Sequence, residues 1–326
     1  MIRGKIVGIG AYAPKRVLTN VDLERMVATS DEWIVQRSGI RERRIADDSE
    51  VTSDLAVKAA QQALDRANLT PEDIEFIVLG TTSADMPFPS TANFVQWKLG
   101  CRRVGSVDVW AACTGSIYSL AIGSQFIQTR KYHRVLCIGA ETLSRITDFT
   151  DRATCVLLAD AAGAVVLEAS EDGRGVIDAD LYSDAQHWEL LYMPGGGSRY
   201  PASHETVDQR MHYAKMKGSE LFKIAVRMFV DCASTLLGRH GLTVADVDVF
   251  VPHQANLRII EAAAKRLDLP MERVFVNVDR YGNTGAASVY VALEEALAAG
   301  RIKRGDLVLL AAFGGGFAWG SALMRW

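Results

Sequence analysis

The sequence predicts an α/β protein made of two duplicated halves with mixed, mainly parallel sheets. Three observations lead there. Apolar runs of strand length alternate with amphipathic helical stretches along the 326 residues, the pattern of sheets covered on their faces by helices. Residues 69–79 (LTPEDIEFIVL) and 242–252 (LTVADVDVFVP) are near-copies, and each follows a helical stretch, 54–67 and 220–237. Residues 107–109, leading to Cys113-Thr114-Gly115, are matched by 276–278, leading to Asn283-Thr284-Gly285. Both matches read as strand, short loop, helix. A repeat this long is no solenoid unit, so it implies two similar halves packed together, 1–172 and 173–326.

The elements follow in order. Residues 6–10 form an apolar stretch too short for the hydrophobic region of a signal peptide. Ser30 can cap and Gly39 can end a helix over 31–38, which puts Trp33 and Arg37 one turn apart on one face. In 54–67, Leu55, Ala59, Ala63 and Ala67 recur at one-turn spacing, as an amphipathic helix requires. Cys113 follows the strand-like VDVW and precedes a helix with Ile117, Leu120, Ala121 and Ile127 on one face. His253 ends the buried-looking run VFVP, and a helix with Leu257, Ile260, Ala264 and Leu267 inward follows. Residues 183–217 are rich in Gly, Pro, Ser and charge; a loop this long is functional or mobile, and a cap over the site is expected. Residues 307–324 carry no charge but include Gly314-Gly315-Gly316. They read as two buried strands around a glycine turn, not as a membrane helix.

Composition narrows the function. With 49% hydrophobic and 23% charged residues and a net charge of −3, the chain is an ordinary globular protein without the basic excess of a nucleic-acid binder. Its five cysteines are scattered singly with no CxxC pair, so zinc and dithiol chemistry have no support and a reducing, cytoplasmic setting is expected. No metal spacing such as HExxH occurs.

The chemistry gathers at strand ends, where α/β folds place their sites. Cys113 near a helix N-terminus is expected to have its thiolate stabilised and its pKa lowered. His253 suits proton transfer or oxyanion stabilisation. Asn283 between glycines would be only a turn, but the duplication sets it opposite Cys113. In Phe313-Gly314-Gly315-Gly316-Phe317 the glycines let backbone N–H groups approach a substrate oxygen; a tight β-turn is the plainer reading, and the two are compatible.

Taken together, TSDEWIVQRSGIRERR (29–44), AACTGS (111–116), DRAT (151–154), VPHQANLRII (251–260), DRYGNTGAAS (279–288) and FGGGFAWGSALMRW (313–326) resemble the β-ketoacyl-acyl-carrier-protein synthase III family nearly end to end. The resemblance implies a thiolase-like five-layer α-β-α-β-α fold, a homodimer, and a Cys-His-Asn triad of Cys113, His253 and Asn283. It implies decarboxylative condensation of an acyl-coenzyme A primer, acetyl-CoA first, with malonyl-acyl-carrier protein, initiating fatty acid biosynthesis. No cofactor is expected, since acyl-CoA is a substrate. Phe313 matches a residue that shields the site, and the N–H groups of Cys113 and Gly315 can hold the primer's oxyanion. Trp33, Arg37, Arg152 and Asn256 match coenzyme A contacts. Leu143 and Phe88 match the acyl pocket, Phe88 reaching across the dimer. Lys223, Arg258 and Lys265 match the surface that docks the acidic carrier protein, although Glu261 could instead pair with Lys265. Three departures stand out: Ala159 and Ala161 where glycines are usual, and Gly285 where Ser is usual. The alternatives on this scaffold are an acyltransferase to another acceptor and a polyketide-type ketosynthase. A papain-like peptidase needs no duplicated halves.

Overall fold

The computed structural model describes residues 2–326. The near-copied words fold alike. Thr70 and Thr243 each open a short 3-10 turn in which the Thr backbone N–H donates to an aspartate three residues on, Asp73 and Asp246, at 2.8 Å in both. Each turn feeds a strand, Phe76–Gly80 or Val249–Pro252.

These strands enter two sheets of matching order. The first runs Arg3–Tyr12, Asp160–Ser170, Arg134–Thr142, Phe76–Gly80, Gly105–Val109. The second runs Gly175–Ser183, Ala318–Arg325, Leu307–Gly314, Val249–Pro252, and a parallel bridge from Phe250 to Val274 extends its edge. In each sheet one strand, Asp160–Ser170 or Ala318–Arg325, opposes all the others. The sheets are therefore mixed, with most strands pointing one way. The turn between Asp160–Ser170 and Gly175–Ser183 carries the chain from the first sheet to the second.

Side chains alternate across each strand, and the alternation sorts them into layers. Ile77 and Leu79 face the outer helix Thr52–Ala67, whereas Val78 faces inward. Phe250, Leu307 and Leu309 pack with the outer helices Gly218–Arg239 and Leu257–Arg266, whereas Val249, Val251, Val308 and Leu310 face inward. Two helices, Gly115–Gln128 and Ser288–Ala298, fill the space between the sheets. Buried Tyr290 joins them, its hydroxyl donating to the Ser116 carbonyl at 2.8 Å. The contact between halves tolerates only small residues: a Cβ on Gly139 would sit 2.2 Å from the Ala286 carbonyl oxygen. The result is the five-layer α-β-α-β-α arrangement.

Residues 307–324 form the expected antiparallel strand pair, Leu307–Gly314 with Ala318–Arg325. Among the described residues no helix is long and apolar enough to cross a membrane. The strand expected at 276–278 is not formed. The N–H groups of Asn277 and Val278 donate to Gln254 Oε1 at 2.9 and 3.2 Å, so a side-chain amide takes the place of a neighbouring strand and the chain turns into the helix Val278–Tyr281.

The segment 183–217 is no free loop. Asp184 and Phe317 exchange backbone hydrogen bonds, Ala214 N–H donates to the Ile146 carbonyl at 2.8 Å, and Leu191–Tyr192 pairs with Lys215–Met216. Arg210 grips Asp148 with two hydrogen bonds of 2.8 and 2.5 Å, holding that carboxyl well below its ordinary pKa.

Candidate active site

Cys113 lies in a 3-10 turn, Ala112–Thr114, between the strand Gly105–Val109 and the helix Gly115–Gln128. Ala112 holds φ at +47°, a conformation few non-glycine residues adopt. The strand Leu307–Gly314 delivers its last residue against this turn: a Cβ on Gly314 would lie 2.5 Å from Cys113 N. Only glycine allows the second half to approach the nucleophile so closely.

Asn283 follows the helix Val278–Tyr281. Its backbone is clamped to the first half, N–H to the Leu157 carbonyl at 2.8 Å and carbonyl from Ala159 N–H at 2.9 Å. Its Oδ1 accepts from Gly285 N–H at 3.0 Å. Its Nδ2 donates to no protein group among the described residues.

His253 ends the strand Val249–Pro252, with its N–H on the Ala311 carbonyl at 2.8 Å. The ring is 1% exposed and lies edge-to-face with Phe313, centroids 5.5 Å apart. Nδ1 is 2.6 Å from Ser288 Oγ. Burial lowers its pKa to about 3, so the imidazole is neutral at working pH.

A cavity of about 320 Å³ is lined by Cys113 and Asn283 with Leu143, Leu191, Met216 and Gly315. The cap segment supplies Leu191 and Met216, as its expected covering role requires. His253 does not line the open volume. It joins the site through its neighbours, Phe313 beside Gly314 on one side and Ser288 beside the Asn283 turn on the other. A second groove, of about 450 Å³, between the helix Gly115–Gln128 and the strand Gly175–Ser183 is lined by no cysteine or histidine, and its carboxylate, Asp178, pairs with Arg239 and His240.

The thiol departs from expectation. Position at a helix start predicts a lowered pKa, but burial pushes Cys113 up to about 12, and the nearby Glu141 carboxyl adds to the rise. Cys113 keeps some accessible surface, yet its sulfur is crowded enough that desolvation outweighs the helix end. The resting pair is a neutral thiol and a neutral imidazole.

Glu141 was not singled out in the sequence. It ends the strand Arg134–Thr142, is fully buried, and accepts hydrogen bonds from Thr82 N–H, Ser83 N–H and the Thr81 hydroxyl at 3.1 to 3.2 Å and from Ala286 N–H at 3.4 Å. It ties the loop after Phe76–Gly80 to the turn that carries Asn283. Burial raises its pKa to about 7. A charged residue closing an otherwise apolar strand run was the available signal.

The other expected residues fall into groups. The helix Asp31–Ser38 forms as read, Ser30 accepting from Trp33 N–H and Gly39 closing it at φ +78°. The Arg152 guanidinium stacks 4.5 Å from the Trp33 ring, and that of Arg37 lies at 5.8 Å. Asn256 caps the helix Leu257–Arg266 through Arg258 N–H and donates to the Arg37 carbonyl at 3.0 Å, so both ends of its amide are engaged within the protein. Phe88 is 83% exposed and lies outside this chain's own cavity. Lys223, Arg258 and Lys265 are exposed and form no ion pair among the described residues; Lys265 does not pair with Glu261. Ala159 and Ala161 are fully buried. Among the described residues no cluster of His, Cys, Asp and Glu could hold a metal ion.

Two family models match, 3-oxoacyl-[acyl-carrier-protein] synthase III over residues 107–185 and its C-terminal counterpart over 237–326. The chain is 52% identical to the β-ketoacyl-[acyl-carrier-protein] synthase III of Caldanaerobacter subterraneus subsp. tengcongensis, over 100% of this chain and 98% of that protein. The crystal structure of 3-oxoacyl-[acyl-carrier-protein] synthase III from Aquifex aeolicus superposes with a TM-score of 0.92 at 46% identity, covering 99% of this chain and 100% of the other. The priming β-ketosynthase of the R1128 polyketide pathway superposes with a TM-score of 0.91 at 31% identity, covering 99% and 96%. Full-length identity of this order, on a fold whose second half brings Asn283 to the cavity of Cys113, makes the chain a member of the β-ketoacyl-acyl-carrier-protein synthase III family.

Proposed function

We propose that this protein condenses an acyl-CoA primer with malonyl-acyl-carrier protein to give 3-oxoacyl-acyl-carrier protein, the opening step of fatty acid synthesis. The observation that carries this reading is the sharing of one cavity by Cys113 and Asn283, with the Asn283 Nδ2 donor unspent. In the first half-reaction the Cys113 sulfur attacks the primer's thioester carbonyl, the bond to the coenzyme A sulfur breaks, and the thiol proton ends on that sulfur. Holding the primer as a thioester divides one difficult step into two. In the second, malonyl thioester loses carbon dioxide, and the electron pair of the broken C–C bond leaves an enolate. Neutral donors at His253 and Asn283 stabilise its oxygen. The carbanion then attacks the Cys113 thioester and releases the thiolate.

Coenzyme A enters past Trp33, Arg37 and Arg152, whose stacked ring and guanidinium suit adenine and phosphate; Asn256 braces that entrance against Arg37. Leu143 lines the acyl pocket, Phe313 shields His253, and Gly315 with Cys113 supplies N–H donors to the primer oxyanion. In the homodimer the exposed Phe88 of one protomer reaches its partner's acyl pocket. The five free thiols suit a reducing cytoplasm. Acetyl-CoA is the first primer to test, ahead of branched and longer acyl-CoA.

Radiolabelled acetyl-CoA tests the reading. Label should appear on Cys113, vanish in Cys113→Ser, and pass into 3-oxoacyl-carrier protein when malonyl-carrier protein is added. No label from any of a panel of straight and branched acyl-CoA primers sinks it. Label that passes to an alcohol or amine but never to malonyl-carrier protein selects the acyltransferase alternative.

A further inference from the structure

Ser288, the first residue of the helix Ser288–Ala298, is 1% exposed. Its Oγ lies 2.6 Å from His253 Nδ1. The backbone N–H of Gln254 donates to the same Oγ at 3.3 Å. That hydroxyl makes no other hydrogen bond among the described residues. A serine hydroxyl carries one proton and can accept as well as donate. Its oxygen already receives the Gln254 N–H, so its proton has one acceptor in reach, Nδ1. The opposite arrangement, with Nδ1–H donating to Oγ, would leave a buried hydroxyl proton without an acceptor, which folded proteins avoid. A neutral imidazole has one N–H. If Nδ1 accepts, the proton is on Nε2, and Nε2 forms no hydrogen bond within the protein among the described residues.

We propose that Ser288 is a positioning residue that fixes His253 as the Nε2–H tautomer, so that the ring presents a donor instead of a lone pair to the substrate oxygen. The proposal rests on the condensation reading above and assigns a task to a residue that touches no substrate. It also pairs with the way Asn283 is set. Gly285 N–H occupies Asn283 Oδ1 and leaves Nδ2 free, while the Ser288 hydroxyl occupies His253 Nδ1 and leaves Nε2–H free. One turn and the first residue of the helix that follows it, 283–288, thus orient both donors.

Nitrogen-15 NMR of the full-length protein with labelled histidines reads the two ring nitrogens directly. The His253 signals are assigned by their loss in His253→Ala. The expected wild-type result is a bare Nδ1 and a protonated Nε2; a protonated Nδ1 overturns the proposal without any Ser288 variant. Ser288→Ala should populate both tautomers and slow malonyl-carrier decarboxylation, approaching the ~10² loss typical of a missing oxyanion donor, while acyl loading of Cys113 persists. Ser288→Thr, which keeps the hydroxyl, should restore the Nε2–H state and most of the rate. A Ser288→Ala protein with one Nε2–H tautomer and wild-type decarboxylation overturns the assignment and leaves the condensation reading intact. Wild-type protein that neither loads Cys113 nor decarboxylates malonyl-carrier protein overturns the condensation reading, and the tautomer spectrum still decides what Ser288 does.

Discussion

The backbone N–H of Gly285 donates to Asn283 Oδ1 at 3.0 Å, and this contact decides which end of the Asn283 amide faces the cavity. Asn283→Asp keeps the shape and the acceptor but replaces the free NH₂ with a carboxylate oxygen. A negative charge then faces the place where enolate charge develops. Decarboxylation should fall by at least the ~10²–10³ seen when an oxyanion donor is removed, while labelling of Cys113 by acyl-CoA continues. Equal loss of both half-reactions would show that Asn283 acts on the nucleophile instead.

Gly285 makes a second, steric prediction. Its φ is +53°, and a Cβ there would meet Glu141 Cγ at 3.0 Å and Oε1 at 3.1 Å. Gly100 has a similar φ of +80° but open space around it. Gly100→Ala therefore measures only the left-handed strain, about 1–2 kcal/mol. Gly285→Ala adds overpacking, a further ~1–3 kcal/mol, and should also slow decarboxylation by shifting Asn283. Urea denaturation compares the two; equal losses would mean that Glu141 yields freely.

Glu141 itself should leave a mark on stability against pH. Burial raises its carboxyl from 4.5 to about 7, so between those values the native state holds a proton that the unfolded state has released. Stability from this group is full below about 4.5 and is lost as pH rises through about 7, roughly 3 kcal/mol across the window. His253 runs the other way: lowered from 6.5 to about 3, it contributes stability above 6.5 that is lost as pH falls. Glu141→Gln removes the first effect and keeps the second. Its stability relative to wild type should improve steadily from pH 4.5 to 7.5 in urea titrations, even though it loses acceptors for the Thr82 and Ser83 N–H groups. A constant difference would mean that Glu141 titrates like an exposed carboxyl.

What the sequence makes legible here is local. The Ser30 cap, the Gly39 end and the Trp33–Arg37 spacing are all within one helix and were readable as such. The duplicated LT-x-x-D words carried the matching sheet orders because each word contains its own turn chemistry, Thr70 with Asp73 and Thr243 with Asp246. What escaped depends on groups far apart in the chain. The missing strand at 276–278 owes its loss to the Gln254 amide. The raised Cys113 thiol owes its shift to burial by both halves and to Glu141. Ser288 looks like any small residue at a helix start until the fold sets it against His253.

The last prediction concerns the carrier protein. Lys223 lies in the second turn of the helix Gly218–Arg239, and Arg258 and Lys265 stand two turns apart on the neighbouring helix Leu257–Arg266. The Arg258 guanidinium lies 5.6 Å from the Phe222 ring, which joins the two helices at this face. All three cations are exposed, and none is neutralised by a protein carboxylate among the described residues. An acidic partner would meet them at little desolvation cost, and screening by salt would weaken the contact beyond about 10 Å at 0.1 M. Lys223→Glu combined with Lys265→Glu should raise KM for malonyl-carrier protein by roughly tenfold at low salt, the size of effect expected from like-charge juxtaposition at a docking rim. The effect should shrink as salt is added. Labelling of Cys113 by acetyl-CoA, which involves no carrier protein, should not change. Steady-state kinetics across a salt series check this, and a KM that ignores both the charge reversal and the salt would place the docking surface elsewhere.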